Sequence, residues 1–490
     1  MQDLSEKLHD AHNEQLGRHL VANMSIDTGE TLLEEQPLLV APQWECSQLK
    51  CAQCMQESYV MCRKCQVFPL CMDCSEHDDY ECEFFASGAG KQLSKDLLIK
   101  HYGICALLKL LLLLEQPSKR ALCLALIEQP VQLQQYRNAE GMWQEHEEQV
   151  VRPLLASGLT QLLSNAEQLT ADELHAHCIR LDSHAYEVTA RDGDTLKGIY
   201  VYGASLPHNC VPNTVIALDE QFNLKLYAAV PLQSGDIIYT SYANPLMGTS
   251  QRQHQLRLSR HMECACARCL DPTELQTHMS SIKCKQCADG YACCDLAGSG
   301  DWRCCNDNCA ALMPAAMVNE LLVEVGSALV DAKGDLGNYE ALLEQHKQLL
   351  HPNHFILVDI KQNIASILRA AALLNAMNAP SKKLLARRVE LCEQLLPICR
   401  AVVPGISKLY AIALFEYLLA FVELIELQFA DGDVDKKQYA SQLARARLAA
   451  KEALELLQYE PENSAEGFLI ERISMELERI ESDLMKYGKL

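Results

Sequence analysis

The chain has 490 residues, enough for two to four domains with cores of their own. It carries 43 Lys and Arg against 65 Asp and Glu, a net charge of −22. That balance excludes broad binding to nucleic-acid phosphates, which needs a surplus of cations, and is compatible with a basic protein partner.

Met1–Leu20 is polar and charged, unlike a secretory signal. The apolar run Ile104–Leu114 contains Lys109 and is too short to cross a bilayer, so it reads as a buried helix with no membrane role. The 24 cysteines are therefore expected in a reducing compartment, cytoplasm or nucleus, where Cys-x-x-Cys pairs hold metal more often than they form disulfides.

Gly17–Ala22, Thr28–Glu30 and Leu32–Val40 read as short strands joined by a glycine turn. Next come Cys51-x2-Cys54, Cys62-x2-Cys65, Cys71-x2-Cys74, His77 and Cys82, eight soft or borderline ligands. Structural zinc takes four ligands, so eight divide into two closed sites. In so short and polar a stretch, metal would supply most of the folding energy, on the order of 10 kcal/mol per ion. The neighbouring Glu76, Asp78, Asp79, Glu81 and Glu83 argue against nucleic acid here. Free thiols are the plainer alternative, and an interleaved RING of a ubiquitin-type ligase another, though the loops are short for it.

Lys91 to Cys178 has helical periodicity. His101, His146, His175 and His177 read as surface or core residues, since no second ligand type accompanies them. Cys105, Cys123 and Cys178 read as small buried side chains. Strands are then expected at Gly198–Tyr202, Thr214–Leu218, Phe222–Val230 and Ile237–Ser241, with turns at Asp219-Glu220 and Ser234-Gly235-Asp236.

Among these strands lies Ala204-Ser-Leu-Pro-His-Asn-Cys-Val-Pro-Asn213, and after them Thr240-Ser241-Tyr242 and Cys264-x-Cys266-x2-Cys269. Three thiolates within six residues are one short of a tetrahedral zinc site. Cys210 is the natural fourth, because its flanking prolines hold the backbone out of a helix. Cys284-x2-Cys287 with Cys304 or Cys305 and Cys309 suggests a further zinc-ribbon-like knuckle, the favoured set being Cys284, Cys287, Cys304 and Cys309; Cys293 and Cys294 add ligands nearby. From Pro314 onward the pattern is helical, with breaks at Gly334–Gly337, Pro352, Pro380, Pro404-Gly405, Asp431–Asp433 and Pro461. Such helices, apolar on one face, suit stacked antiparallel pairs. His351 and His354 read as turn and cap residues rather than a metal pair.

These parts in this order resemble the SET and MYND domain-containing family, with this chain as a divergent, insect-type member. The opening strands look like the start of a SET domain, and the 208–213 stretch, Ser241-Tyr242 and the Cys264–Cys269 tail look like its catalytic half. The resemblance implies an α+β multidomain fold: a split SET β-fold with a MYND zinc-finger insertion, a zinc-bound post-SET segment and a C-terminal α-helical tetratricopeptide-like domain. It divides the chain into a SET amino-terminal part (1–49), MYND finger (50–86), helical insert (87–180), SET catalytic part (181–250), post-SET zinc segment (251–272), ribbon-like segment (280–312) and helical domain (313–490). In MYND fingers the pairs interleave, which assigns Cys51, Cys54, Cys71 and Cys74 to one zinc ion and Cys62, Cys65, His77 and Cys82 to another. Cys210, Cys264, Cys266 and Cys269 would hold a third, and the ribbon set a fourth.

The family transfers methyl groups from S-adenosylmethionine to protein lysines. The resemblance gives Tyr242 the place beside the transferring methyl and gives cofactor contacts to Arg18, His184, His208 and Met262. The chain departs from the family pattern at several of these positions. His19 stands for a glycine, Pro207 for the Asn before the motif histidine, His184 for a ribose-contacting Asn, and Arg260 and Met262 for two aromatics. Losing one amide contact costs about 1–3 kcal/mol, and Arg260 opposes entry of a cationic amine. Two functions are therefore expected from one fold. The first is a protein-lysine methyltransferase acting on histone or non-histone protein, with a link to transcription regulation. The second is a weakly active or inactive adaptor that binds partners through the MYND finger and helical cleft. MYND fingers mostly bind proline-containing peptides; the expected state is a monomer.

Overall fold

The computed structural model describes residues 4–127, 133–137, 141–260, 262–287, 289–294, 300–309, 311–332, 334–374 and 381–487. Pro380 lies outside them.

The polar start of the chain forms a hairpin, β1 (Leu8–Asn13) with β2 (Gly17–Ala22). Its turn is built by Asn13, whose Oδ1 accepts the backbone N–H of Gln15 and Leu16, and by Gly17 at φ +65°. Two three-stranded antiparallel sheets follow. In the first, β3 (Thr31–Glu35) and β7 (Thr214–Leu218) flank β8 (Leu224–Ala228); in the second, β4 (Leu39–Pro42) and β5 (Tyr186–Thr189) flank β6 (Thr195–Ile199). Each sheet thus joins strands from before and after the long insertion between Pro42 and Tyr186. Leu20, Ile26, Leu32, Tyr200, Leu224 and Leu226 form the core between them.

Two strand expectations change. The strand expected at Gly198–Tyr202 lies earlier, at Thr195–Ile199, because Val201, Tyr202 and Gly203 give their N–H groups to the buried Glu35 carboxylate instead of a ladder. Ile237–Ser241 is no strand: it makes isolated bridges, Val21 to Ile237 and His208 to Thr240, the second parallel.

The helix Ile104–Glu115 is apolar on nearly every face and correspondingly buried. Its Lys109 amine reaches out to the Ala52 carbonyl, fastening the cysteine-rich segment 51–82 to the helices. That segment has more apolar core than its sequence implies: Val67, Phe68 and Leu70, with Phe85 just beyond it, pack into the same buried group as this helix. A small sheet, β9 (Ile282–Lys283), β10 (Tyr291–Cys294), β11 (Trp302–Cys304) and β12 (Leu312–Met313), leads into the carboxy-terminal helices.

Those helices are Ala315–Ala332, Leu336–His346, Phe355–Leu374, Lys382–Val402, Lys408–Ala430, Lys436–Leu457 and Ala465–Tyr487. Ser407 and Asp435 cap two of them, the latter in a reciprocal capping box with Gln438. The expected break at Pro404-Gly405 is also where this region meets the sheets. The Ile406 N–H donates to the Ala229 carbonyl, and Gly405, at φ +74°, has no room for a Cβ against that same group. Among the described residues no helix is long and apolar enough to cross a membrane.

Candidate functional site

The segment Ala204–Asn213 is held on both sides. Asn209 N–H donates to the Thr240 carbonyl, and Thr240 N–H to that of Pro207. Asn213 receives the Tyr239 N–H and donates to the Ile237 carbonyl. Tyr242 follows directly. Its hydroxyl donates to the Leu206 carbonyl at 2.7 Å and lies 3.2 Å from the hydroxyl of Tyr186, which donates to the Gly203 carbonyl at 2.7 Å. Two phenols and two carbonyls thus converge, with both hydroxyl protons committed and lone pairs left over. Burial pushes both phenols up from their ordinary value, so both stay neutral.

On its other face Tyr242 carries Arg260. The guanidinium lies 4.1 Å from the ring centroid and donates to the carbonyls of Ser183 and Ala185. Tyr242 and Arg260 line a cavity of about 580 Å³, whose wall also includes Asp182 and Lys197. Asp182 accepts from the Trp44 indole at 2.8 Å, from His146 Nε2 at 2.8 Å and from Lys197. Burial alone would raise the Asp182 carboxyl, but Lys197 and His146 overcome it and hold it at about 2. A second cavity of similar size shares Glu187 and Ile216 with the first and extends to Lys408 and Glu460 beside the helical domain.

The remaining residues expected to hold a cofactor are less free. Arg18 pairs through two nitrogens with Asp10 and lies over the Tyr202 ring. His208 Nδ1 accepts the Tyr242 N–H at 3.0 Å, so its Nε2 carries the proton and faces Cys210 Sγ at 3.3 Å; only its backbone is left for a ligand. His184 is half-buried, and desolvation pushes it down to about 4, with Arg260 adding to the effect. Met262 packs with Tyr242 beside the Cys210 group.

Four groups of ligand atoms come together, each within 4.8 Å: Cys51, Cys54, Cys71 and Cys74; Cys62, Cys65, His77 and Cys82; Cys210, Cys264, Cys266 and Cys269; and Cys284, Cys287, Cys304 and Cys309. A tetrahedron with zinc–sulfur bonds of 2.3 Å has edges of about 3.8 Å. The sulfurs fit it, at 3.8 Å for Cys62–Cys82, 3.9 Å for Cys210–Cys264 and 3.8 Å for Cys284–Cys309. His77 turns Nε2 to Cys65 and Nδ1 to the buried Glu81, the arrangement that orients a metal-bound imidazole. The choice between Cys304 and Cys305 falls on Cys304; Cys293 and Cys294 stay outside the group.

The Cys210 group has a second layer that sequence reasoning missed. Arg252 and Arg268 are both fully buried. Arg252 donates to Cys210 Sγ at 3.2 Å and to Cys269 Sγ at 3.5 Å, and both arginines reach Glu274. Zinc with four thiolates leaves two negative charges, and two cations against one carboxylate offset part of them. A basic residue inside the Cys264–Cys269 run, Arg268, and another before it, Arg252, were the available signal. Tyr186 was also missed, although it stands two residues from His184.

No family model matches the chain. It is 24% identical over 282 residues to the SET domain-containing protein SmydA-8, isoform A, of Drosophila melanogaster, a match covering 55% of this chain and 57% of that one. It is 35% identical over 78 residues to the histone-lysine N-methyltransferase SET5 of Candida glabrata, covering 16% and 15%. The chain therefore spans less than two thirds of the curated relatives it matches. A solved structure, the SET domain of LSMT bound to lysine and AdoHcy, aligns over 86% of this chain and 88% of that chain, at 14% identity and a TM-score of 0.26. In sequence, the chain resembles the SET-and-MYND proteins, through SmydA-8.

Proposed function

We propose that the chain is an S-adenosylmethionine-dependent protein-lysine methyltransferase built on a split SET domain, with a MYND-type finger at 50–86, a zinc-bound tail at 264–269 and a tetratricopeptide-like helical domain. The observation that carries the reading is the ring of oxygens around Tyr242. S-adenosylmethionine, when bound, supplies a methyl group on a positively charged sulfur, and its polarised C–H groups suit such acceptors. Tyr242 and Tyr186, fixed by the Leu206 and Gly203 carbonyls, orient and desolvate that passage. Arg18, His184, Met262 and the backbone at His208 would hold the cofactor. The two cavities, which share Glu187 and Ile216 in their walls, suit an extended protein segment delivering a lysine to Tyr242. A histone or another protein is the substrate, and proline-containing peptides are the partners of the finger.

A second reading, the adaptor with little catalysis, is favoured by Arg260. Its guanidinium lies on the Tyr242 ring, where a lysine ammonium would meet a like charge. Calorimetric titration with S-adenosylmethionine, followed by transfer of labelled methyl to histones, separates the two. Binding, and transfer reduced about 10²-fold by Tyr242→Phe, is expected for the enzyme. No heat at millimolar cofactor favours the adaptor. Transfer that rises in Arg260→Tyr assigns the weakness to that residue.

A further inference from the structure

Fifteen of the 24 cysteines belong to the four groups. Of the others, Cys105, Cys123, Cys178, Cys392 and Cys399 are buried. Cys293 and Cys305 differ, because they face each other. Cys293 is a buried residue of β10, and Cys305 is exposed just after β11. The strands are antiparallel, Cys293 opposite Arg303 and Ala292 opposite Cys304. The Cys305 N–H donates to the Tyr291 carbonyl, extending the pairing by one residue. Residues 291 and 293 share a face of their strand, so the Cys305 side chain leans across the ladder onto Cys293. The two sulfurs are 2.7 Å apart, closer than two unbonded sulfurs rest. The Ser281 hydroxyl, 3.2 Å from Cys293 Sγ, fixes the inner thiol from behind.

We infer that Cys293 and Cys305 form a redox-modification site, a reversible dithiol that takes a two-electron oxidant such as hydrogen peroxide. Cys305 is the sulfur such an oxidant reaches first. Its attack on the peroxide breaks the O–O bond, gives a sulfenic acid and releases water. Cys293 then attacks the Cys305 sulfur; the S–S bond forms, the S–O bond breaks, and hydroxide leaves with the Cys293 proton as a second water. Two thiols have lost two electrons and two protons to one peroxide. A thiol reductant such as glutathione reverses the change. Cys304 and Cys309, next in sequence, face the fourth ligand group instead, so the bond closes without removing a ligand from it. It ties β10 to the chain beyond β11. Through β9, whose Lys283 N–H donates to the Leu349 carbonyl, the sheet is already attached to the helices.

The test treats the full zinc-loaded chain with hydrogen peroxide, blocks free thiols with N-ethylmaleimide and maps peptides without reduction. The expected result is one cross-linked peptide pair, Cys293 with Cys305, lighter by two hydrogens, unchanged total zinc and recovery of both thiols in glutathione. Cys305→Ser abolishes the link, and Cys294→Ser leaves it. Sulfinic acid accumulating on Cys305 with Cys293 still reduced would overturn the inference. So would a link from Cys305 to Cys287 or Cys304 accompanied by zinc loss, or a chain in which peroxide leaves Cys305 reduced.

Discussion

The Cys210 group and the Cys284 group have similar sulfur geometry in opposite settings. The first draws its ligands from distant parts of the chain, residue 210 and residues 264–269, and closes on fully buried Arg252 and Arg268. The second draws on one short stretch, with Cys284 and Cys304 buried and Cys287 and Cys309 half-buried. Its sulfurs accept from amide groups of its own knuckle turns, Gln286 and Asn306 among them. Long-range ligation into a buried, charged interior would couple a metal to the global fold, whereas local ligation would couple it to one small sheet.

Ligand removal sharpens that contrast most. With zinc bound as proposed, Cys210→Ser is expected to cost a large part of the order of 10 kcal/mol that links a structural zinc to folding. The chain should lose its main cooperative transition in urea and one zinc ion. Cys284→Ser should also lose one ion, yet keep the main transition within about 1 kcal/mol. Equal losses from the two variants would show that the two groups are coupled alike to the global fold.

Arg252→Leu comes next. It leaves the buried Glu274 with one cation and removes two N–H···S contacts, an expected cost of about 3 kcal/mol in urea unfolding. The same network sets a pH dependence. Burial raises the Glu274 carboxyl, but Arg252 and Arg268 outweigh it and hold it below its ordinary 4.5. A depressed folded-state value contributes stability above the unfolded value and loses it as pH falls from about 4.5 toward the folded one. Urea titrations should therefore show an acid loss in that window that is absent from Glu274→Gln, which is already weaker at neutral pH.

The smallest effect is kinetic. A chelator at neutral pH should strip the Cys284 group first, with little change in helical circular dichroism, and the Cys210 group last. Release of the Cys210 ion first, or all ions together, would show that Arg252 and Arg268 do not insulate their cluster.

Much of the organisation is legible in the sequence because it depends on spacing. The Cys-x2-Cys pairs, the apolar run at 104–114 and the helix breaks at Pro404-Gly405 and Asp431–Asp433 follow from local chemistry that a single strand of residues displays. Element edges are less legible. The strand expected at 198–202 moved because Glu35, far away in the chain, took three N–H groups. Of the hairpin at Leu8–Ala22, the strand Gly17–Ala22 was legible, whereas its partner Leu8–Asn13 was hidden in a polar stretch whose register is set by the turn.

Residue type and short separations are enough to mark the candidate metal-ligand sets, the helix breaks at Pro404-Gly405 and Asp431–Asp433, and Tyr242 after Ser241. Only the tertiary structure decided that Tyr186 meets Tyr242, that both ring nitrogens of His208 are spent inward, that Arg260 covers the aromatic face, and that two arginines stand behind Cys210. Those facts depend on burial and on partners brought together across tens of residues. A desolvated charge or phenol takes its properties from whichever group it meets there, and nothing in the linear order names that group in advance.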